Sequence, residues 1–165
     1  MSAQEQLLTE LLPIMERLTG IDIASDGAPD AINDLFPVDG PRLASIKKLV
    51  LQGLEEGWLC PREGRGLRYG RLCKPTATDY PFSIDTVDMS GPGPGHVHPN
   101  GEVDLCFAVD GTPLFDGNPE GWTVYKPGSW HVPTVTGGRM GILYFLPEGA
   151  IHFTQKPPAQ PSVEA

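Results

Sequence analysis

The sequence has no lysine or arginine between Lys74 and Lys126. Across the chain 12 basic residues face 21 acidic ones, for a formal net charge of −9. A field of that sign repels polyanions and anionic headgroups, so neither nucleic acid nor a lipid surface is an expected partner. No basic recognition helix is evident either. No apolar run approaches the roughly 18–20 residues that a bilayer-spanning helix needs. The opening "MSAQEQLLTELL" has neither a basic start nor a long apolar core, so it does not read as a secretory signal, and the expected compartment is the cytoplasm. Cysteine is scarce. Cys60, Cys73 and Cys106 are odd in number and widely spaced, which argues against a disulfide framework and a CxxC motif. Cys60 and Cys73 read as small apolar fillers. The glycine fingerprint of a dinucleotide site is also missing, and no nucleotide cofactor is expected.

Turn-forming residues are abundant: 20 glycines and 18 prolines in 165 residues, concentrated after position 60. Before that point the pattern is helical. Leu7, Leu8, Leu11, Ile14, Met15 and Leu18 recur at spacings of three and four, with Pro13 inside the run expected to kink or restart the helix and Gly20 to end it. A short helix is expected after Asp30. A third is expected from Pro41, with Leu43, Ile46, Leu49, Val50 and Leu54 on one face. From Trp58 onward short apolar runs ("LRYGRLCKP", "FSIDTVDMS", "EVDLCFAVDG", "GWTVYKPG", "GRMGILYFLPEG") alternate with Gly, Pro and Asn-Gly, the signature of an all-β sandwich or small barrel. The expected organisation is a helical region over 1–58 packed on a β body over 59–155. A proline-rich, disordered tail is expected over 156–165.

Two of the four histidines stand in "GHVHPNGEVDLCFAVDG". On a strand His96 and His98 point the same way, about 6.5 Å apart at Cα. Pro99-Asn100-Gly101 suits a three-residue hairpin loop that sets Glu102 opposite His98 on the same face. Asp104 and Cys106 continue that face, while Val103, Leu105, Phe107 and Val109 take the other. One face is thus apolar and the other carries His, His, Glu, Asp and Cys. A surface hairpin with incidental histidines would more often carry Lys and Thr. "GWTVYKPGSWHVP" supplies a further imidazole, His131. Three imidazoles and one carboxylate suit Fe(II), Mn(II), Ni(II), Co(II) or Zn(II) rather than Ca(II), with one or two positions left for water or substrate. A metal-free acid/base pair is the competing reading. His152 has no motif partner and reads as a strand histidine.

His96-x-His98-x-x-x-Glu102 followed by Gly111, then Gly121, Pro127, Gly128 and His131, resembles the two-part motif of the cupin superfamily. The resemblance implies a double-stranded β-barrel (jelly roll) in which three His and one Glu hold a metal. Pro127 stands one residue closer to His131 than in the usual pattern, and Val135 stands where Asn is expected. Over residues 5 to 153 the chain resembles more closely the 4-hydroxylaminobenzoate lyase family. "HVHPNGEVDLCF", "PGSWHVPTVTGG", "YFLPEGAI", Glu56-Gly57-Trp58 and "GLRYGRL" carry that resemblance. Asp104 stands where Asn is expected in relatives.

The resemblance implies conversion of 4-hydroxylaminobenzoate and water to 3,4-dihydroxybenzoate and ammonia. Atoms balance without an external oxidant. His96, His98, Glu102 and His131 are then the metal ligands, with Glu102, Asp104 and Tyr125 as candidates for proton transfer. Arg68 or Arg71 is the candidate for the substrate carboxylate. They are spaced by three on a strand, so at most one faces inward; Arg139 and Lys126 rank behind them. Trp130 is the candidate for the pocket mouth. Two other functions stay open: a cupin Fe(II) dioxygenase acting on an aromatic ring, and a small-molecule-binding cupin without turnover. A homodimer is expected because cupin barrels commonly pair.

Overall fold

The computed structural model describes residues 1–157. Residues 158–165, most of the tail expected to be disordered, lie outside the described residues. Helix α1 (Ala3–Leu18) opens on a capping box: Ser2 Oγ accepts the Glu5 N–H at 3.1 Å and the Glu5 carboxylate accepts the Ser2 N–H at 3.2 Å. The helix does not restart at Pro13 but runs through it. Pro13 has no N–H to give the Thr9 carbonyl, a disruption of roughly 3 kcal/mol. Against that, Leu7, Leu11, Ile14 and Met15 are 0% exposed and Leu18 1%. Burial of such side chains contributes about 1.5–3 kcal/mol each, enough to hold the helix together.

Helix α2 (Ala28–Leu35) begins two residues ahead of the expected start, with Pro29 in its first turn. Helix α3 (Pro41–Glu56) starts at Pro41 as the spacing predicts. Among the described residues no helix is long and apolar enough to cross a membrane.

The fold is mainly β. The strands are β1 (Arg62–Gly64), β2 (Leu67–Cys73), β3 (Phe82–Met89), β4 (His96–His98), β5 (Glu102–Phe115), β6 (Gly121–Tyr125), β7 (Ser129–His131), β8 (Val135–Pro147) and β9 (His152–Phe153). A six-stranded antiparallel sheet has the order β1-β2-β3-β8-β5-β6, and a three-stranded one the order β7-β4-β9. The large sheet buries both faces. Ile84, Val103, Leu105, Phe107, Leu143 and Phe145 share a core with the three helices. Cys106, Phe115, Met140, Ile142 and Tyr144 form a second core on the opposite face. The alternation read along β5 therefore holds from Glu102 to Phe107, and breaks at Val109, where the register shifts between Ala108 and Asp110. The small sheet covers the second face, where His96 stands 6.2 Å from Tyr144 and His131 6.1 Å from Phe115, ring centre to ring centre. The result is a jelly-roll arrangement of two facing sheets rather than one closed ladder.

One expectation is corrected. Pro99-Asn100-Gly101 is not a hairpin loop, because β4 and β5 do not pair. β4 lies between β7 and β9, while β5 lies between β6 and β8. Gly101 adopts the left-handed φ of 87° that the turn requires, and its N–H reaches the His98 carbonyl at 3.2 Å. That carbonyl also accepts the Gly128 N–H at 2.7 Å, and Glu102 pairs across the sheet with Tyr125 instead. The same local turn chemistry serves a hairpin or a corner between sheets, and the long-range pairing decides which.

Candidate metal centre

Three separate backbone stretches meet at the corner. His96 and His131 are direct partners across β4 and β7, so their side chains share a face, and His98 is paired with Ser129 on the same face. Glu102, the first residue of β5, comes in from the other sheet. His98 Nε2 lies 2.9 Å from Glu102 Oε2, His131 Nε2 lies 3.7 Å from the same oxygen, and His96 Nε2 lies 3.6 Å from Glu102 Oε1. One ligand atom from each of the four residues falls within 4.8 Å of the others. His98 and Glu102 are fully buried and His96 nearly so.

The other ring nitrogens set the tautomers. His96 Nδ1 donates to the Pro94 carbonyl at 3.1 Å. Ser129 Oγ gives its own proton to the Lys126 carbonyl at 2.6 Å, so it accepts from His98 Nδ1 at 2.9 Å. His131 Nδ1 donates to Asp116 Oδ2 at 2.6 Å. Each neutral ring thus carries its proton on Nδ1 and turns a lone pair on Nε2 toward Glu102. His96 and His131 bring these nitrogens within 3.1 Å of each other. Neither oxygen of Glu102, nor His98 Nε2, has a hydrogen-bond donor among the described residues.

Buried lone pairs and a carboxylate facing one another are costly without a cation. A proton on one Nε2 relieves one contact and leaves the others. An ion about 2.1 Å from two nitrogens at right angles would set them about 3.0 Å apart, close to the spacing found. The four residues could therefore hold a metal ion, and nitrogen-rich donors suit a first-row divalent ion.

The carboxyl groups around the cluster differ in state. Burial works to raise the Glu102 carboxyl; His96 and His98 outweigh it and hold it below the usual range when they carry an Nε2 proton, a charge that a bound cation would supply beside the neutral rings. Asp104 goes the opposite way. Its burial, and then the negative charge of Glu102, push it well above the ordinary carboxyl value. Both Asp104 oxygens lack a hydrogen-bond partner among the described residues, as does the Thr123 hydroxyl across the ladder.

Asp116 is a residue that sequence reasoning missed. It follows β5 with a left-handed φ of 48°. Its carboxylate accepts from His131, from the Tyr125 hydroxyl and from the Thr134 N–H, the last at 2.8 Å. Burial tends to raise its pKa, and these bonds hold it down overall. In the sequence Asp116-Gly117 reads only as a turn, and nothing local ties it to a histidine fifteen residues away. Tyr125 stacks on His98 at 5.1 Å and reaches His131 at 4.1 Å, centroid to centroid.

The remaining candidates are scattered. Arg71 and Arg68 do lie on opposite faces of β2. Arg71 shares a face with Tyr69 and grips Asp85 through two bonds, at 2.6 and 3.1 Å. Arg68 turns the other way and donates to the Cys60 carbonyl at 3.2 Å. Trp130 alternates away from His131 and donates to the Thr154 carbonyl at 3.0 Å, packed over Gly95. Arg139 grips Asp88 at 2.7 Å, and Lys126 pairs with Asp26. A cavity of about 300 Å³ opens beside the cluster with His96 and Tyr144 in its wall, and neither Arg68 nor Trp130 lines it.

Residues 14–153 match a family model described as PnbB, 4-hydroxylaminobenzoate lyase. The chain is 32% identical to a 4-hydroxylaminobenzoate lyase of Pseudomonas putida over 74% of its own length and 80% of the relative's. It is 30% identical to another from Nocardioides sp. (strain LMS-CY), over 97% of this chain and all of that one. Among solved structures it is similar to the DMSP lyase DddQ of Ruegeria pomeroyi DSS-3, at 20% identity and a TM-score of 0.45, covering 96% of this chain and 98% of that one.

Proposed function

Since this chain belongs to the 4-hydroxylaminobenzoate lyase family and is an enzyme of that kind, we propose that it converts 4-hydroxylaminobenzoate and water to 3,4-dihydroxybenzoate and ammonia. The observation that carries the reading is the convergence of three Nε2 lone pairs on Glu102, each fixed by a separate acceptor on Nδ1. His96, His98, Glu102 and His131 would hold a divalent transition ion. Such an ion supplies a Lewis acid for the hydroxylamino oxygen or for water.

The chain's own groups divide the remaining work. Glu102 stays ionised and supplies negative charge at the centre. Asp104, two residues along the same strand face, is pushed toward its protonated form by burial and by Glu102, and so presents the neutral group that Asn would present in relatives. The Tyr125 hydroxyl is already committed to Asp116. Its role is to hold Asp116 and to stack on His98 rather than to carry a substrate proton. The cavity beside His96 opens to solvent and has room for a single substituted benzene ring.

The test is incubation of purified protein with 4-hydroxylaminobenzoate without oxygen, following ammonia and 3,4-dihydroxybenzoate and measuring metal in the same sample. One ammonia per dihydroxybenzoate is expected. Turnover that requires oxygen would replace this reading with the dioxygenase. Binding of the acid without any product would replace it with the non-catalytic module.

A further inference from the structure

The reaction proposed above leaves the substrate's carboxylate without a partner, since Arg68 faces away and Arg71 is bound to Asp85. We propose that Arg65 is the carboxylate-binding residue of the cavity, holding an aromatic acid whose ring lies among Leu67, Met89, Tyr144 and Phe153 and whose reacting end reaches His96. The inference rests on the lyase reading for its substrate but on separate observations for its site.

Arg65 lines the cavity. It has no ion-pair or hydrogen-bond partner among the described residues. The other charged side chain at the wall, Asp85, is neutralised by Arg71. An acid entering this otherwise apolar space therefore meets one free guanidinium at the rim and the imidazole of His96 on the wall. A planar guanidinium matches a carboxylate through two parallel bonds.

The turn that presents Arg65 is a poor place for arginine on local grounds. Gly64 pairs with Leu67, which leaves Arg65 and Gly66 as a two-residue hairpin loop with φ of 52° and 79°. Such a loop favours Asn, Asp or Gly at its first position, since a left-handed backbone crowds any Cβ. A side chain kept there against the turn's preference has to be explained by what it reaches. The cavity's apolar wall gives a further sign of a ligand. Tyr69 is 39% and Phe153 53% exposed, and both line the cavity. An aromatic ring seated between them covers surface that otherwise faces water.

The test compares an acid with its neutral twin. Calorimetry on the metal-loaded enzyme measures binding of 4-aminobenzoate and of 4-aminobenzamide to the wild type, Arg65→Asn and Arg65→Lys. Asn tolerates the positive φ, so Arg65→Asn should melt at or above the wild-type temperature. The wild type should prefer the acid. Arg65→Asn should lose roughly tenfold in acid affinity with the amide unchanged, and Arg65→Lys should keep part of the preference. In turnover, KM for 4-hydroxylaminobenzoate should rise while kcat holds. An acid preference that survives Arg65→Asn, or equal losses for acid and amide, overturns the assignment. The binding comparison needs no turnover. An absent lyase reaction with the Arg65-dependent preference intact would sink the proposed reaction and leave the subsite standing.

Discussion

Asp116 Oδ2 takes the Nδ1 proton of His131 at 2.6 Å and so turns His131 Nε2 toward Glu102. The carboxylate is itself anchored by the Tyr125 hydroxyl and the Thr134 N–H. Removing it frees the imidazole to rotate or change tautomer. Asp116→Ala should weaken divalent-ion retention by roughly 10–100-fold, measured by competition with a chromophoric chelator, with the far-ultraviolet circular dichroism unchanged. Unaltered affinity would mean that the pairing of β7 with β4 alone orients His131.

Asp104→Asn installs the residue expected in relatives and tests charge at fixed shape. In the metal-loaded enzyme ion content should hold and kcat should change by less than about tenfold, since a protonated Asp and an Asn both offer a neutral donor there. Stability without metal gives a second readout. Asp104 keeps its proton in the folded chain, whereas an unfolded Asp loses it near about pH 4. Above that pH the unfolded state binds fewer protons, so this group's contribution to stability shrinks as pH rises toward the folded pKa. Asn has no proton to lose, and urea titrations from pH 4 to 7 should show a flatter fall for the variant. Identical slopes would mean that Asp104 is ionised in the folded chain.

The parts of this site that were legible in the sequence are those fixed by local periodicity. Alternation along β5 separated Glu102 and Asp104 from Val103, Leu105 and Phe107, and the split is the one between the two cores. The helical stripe of α1 was equally plain, but its continuity through Pro13 was not, because the burial that overrides a proline depends on partners in α3. The turn at Gly101 was legible in its conformation and not in its pairing. Asp116 was illegible for a related reason. It sits in a turn whose local signal is complete without it, and its partner His131 comes from another strand.

The three thiols should be inert in the folded chain. All are buried and unpaired. Burial pushes Cys60 up to about 11 and raises Cys73 and Cys106 as well. An unfolded Cys60 ionises near its ordinary value of 9.0 while the folded one holds its proton. Its contribution is complete below pH 9 and is lost as pH rises through about 11, at most about 3 kcal/mol. Urea titrations between pH 8 and 10.5 should show stability falling, with a shallower slope in Cys60→Ala. A thiol reagent at pH 8 should label the protein only after denaturant is added.

Metal removal and Glu102→Gln should reverse each other's order of stability. With a divalent ion at 100 times its dissociation constant, the wild type gains about 2.7 kcal/mol from binding, and chelation should lower its melting temperature by roughly 5–10 °C. Chelated wild-type protein at pH 8, where imidazole is ordinarily neutral, keeps a buried carboxylate with no donor beside three Nε2 lone pairs. A glutamine there fills the same volume without the charge, and its amide N–H groups can donate to His98 and His96. Chelated Glu102→Gln should therefore melt above chelated wild type. With the ion present the wild type should melt higher, because the variant has lost the anionic ligand. If the variant melts below the wild type in both states, Glu102 is stabilised by protonated histidines and the cluster is an ion-pair network rather than a metal centre.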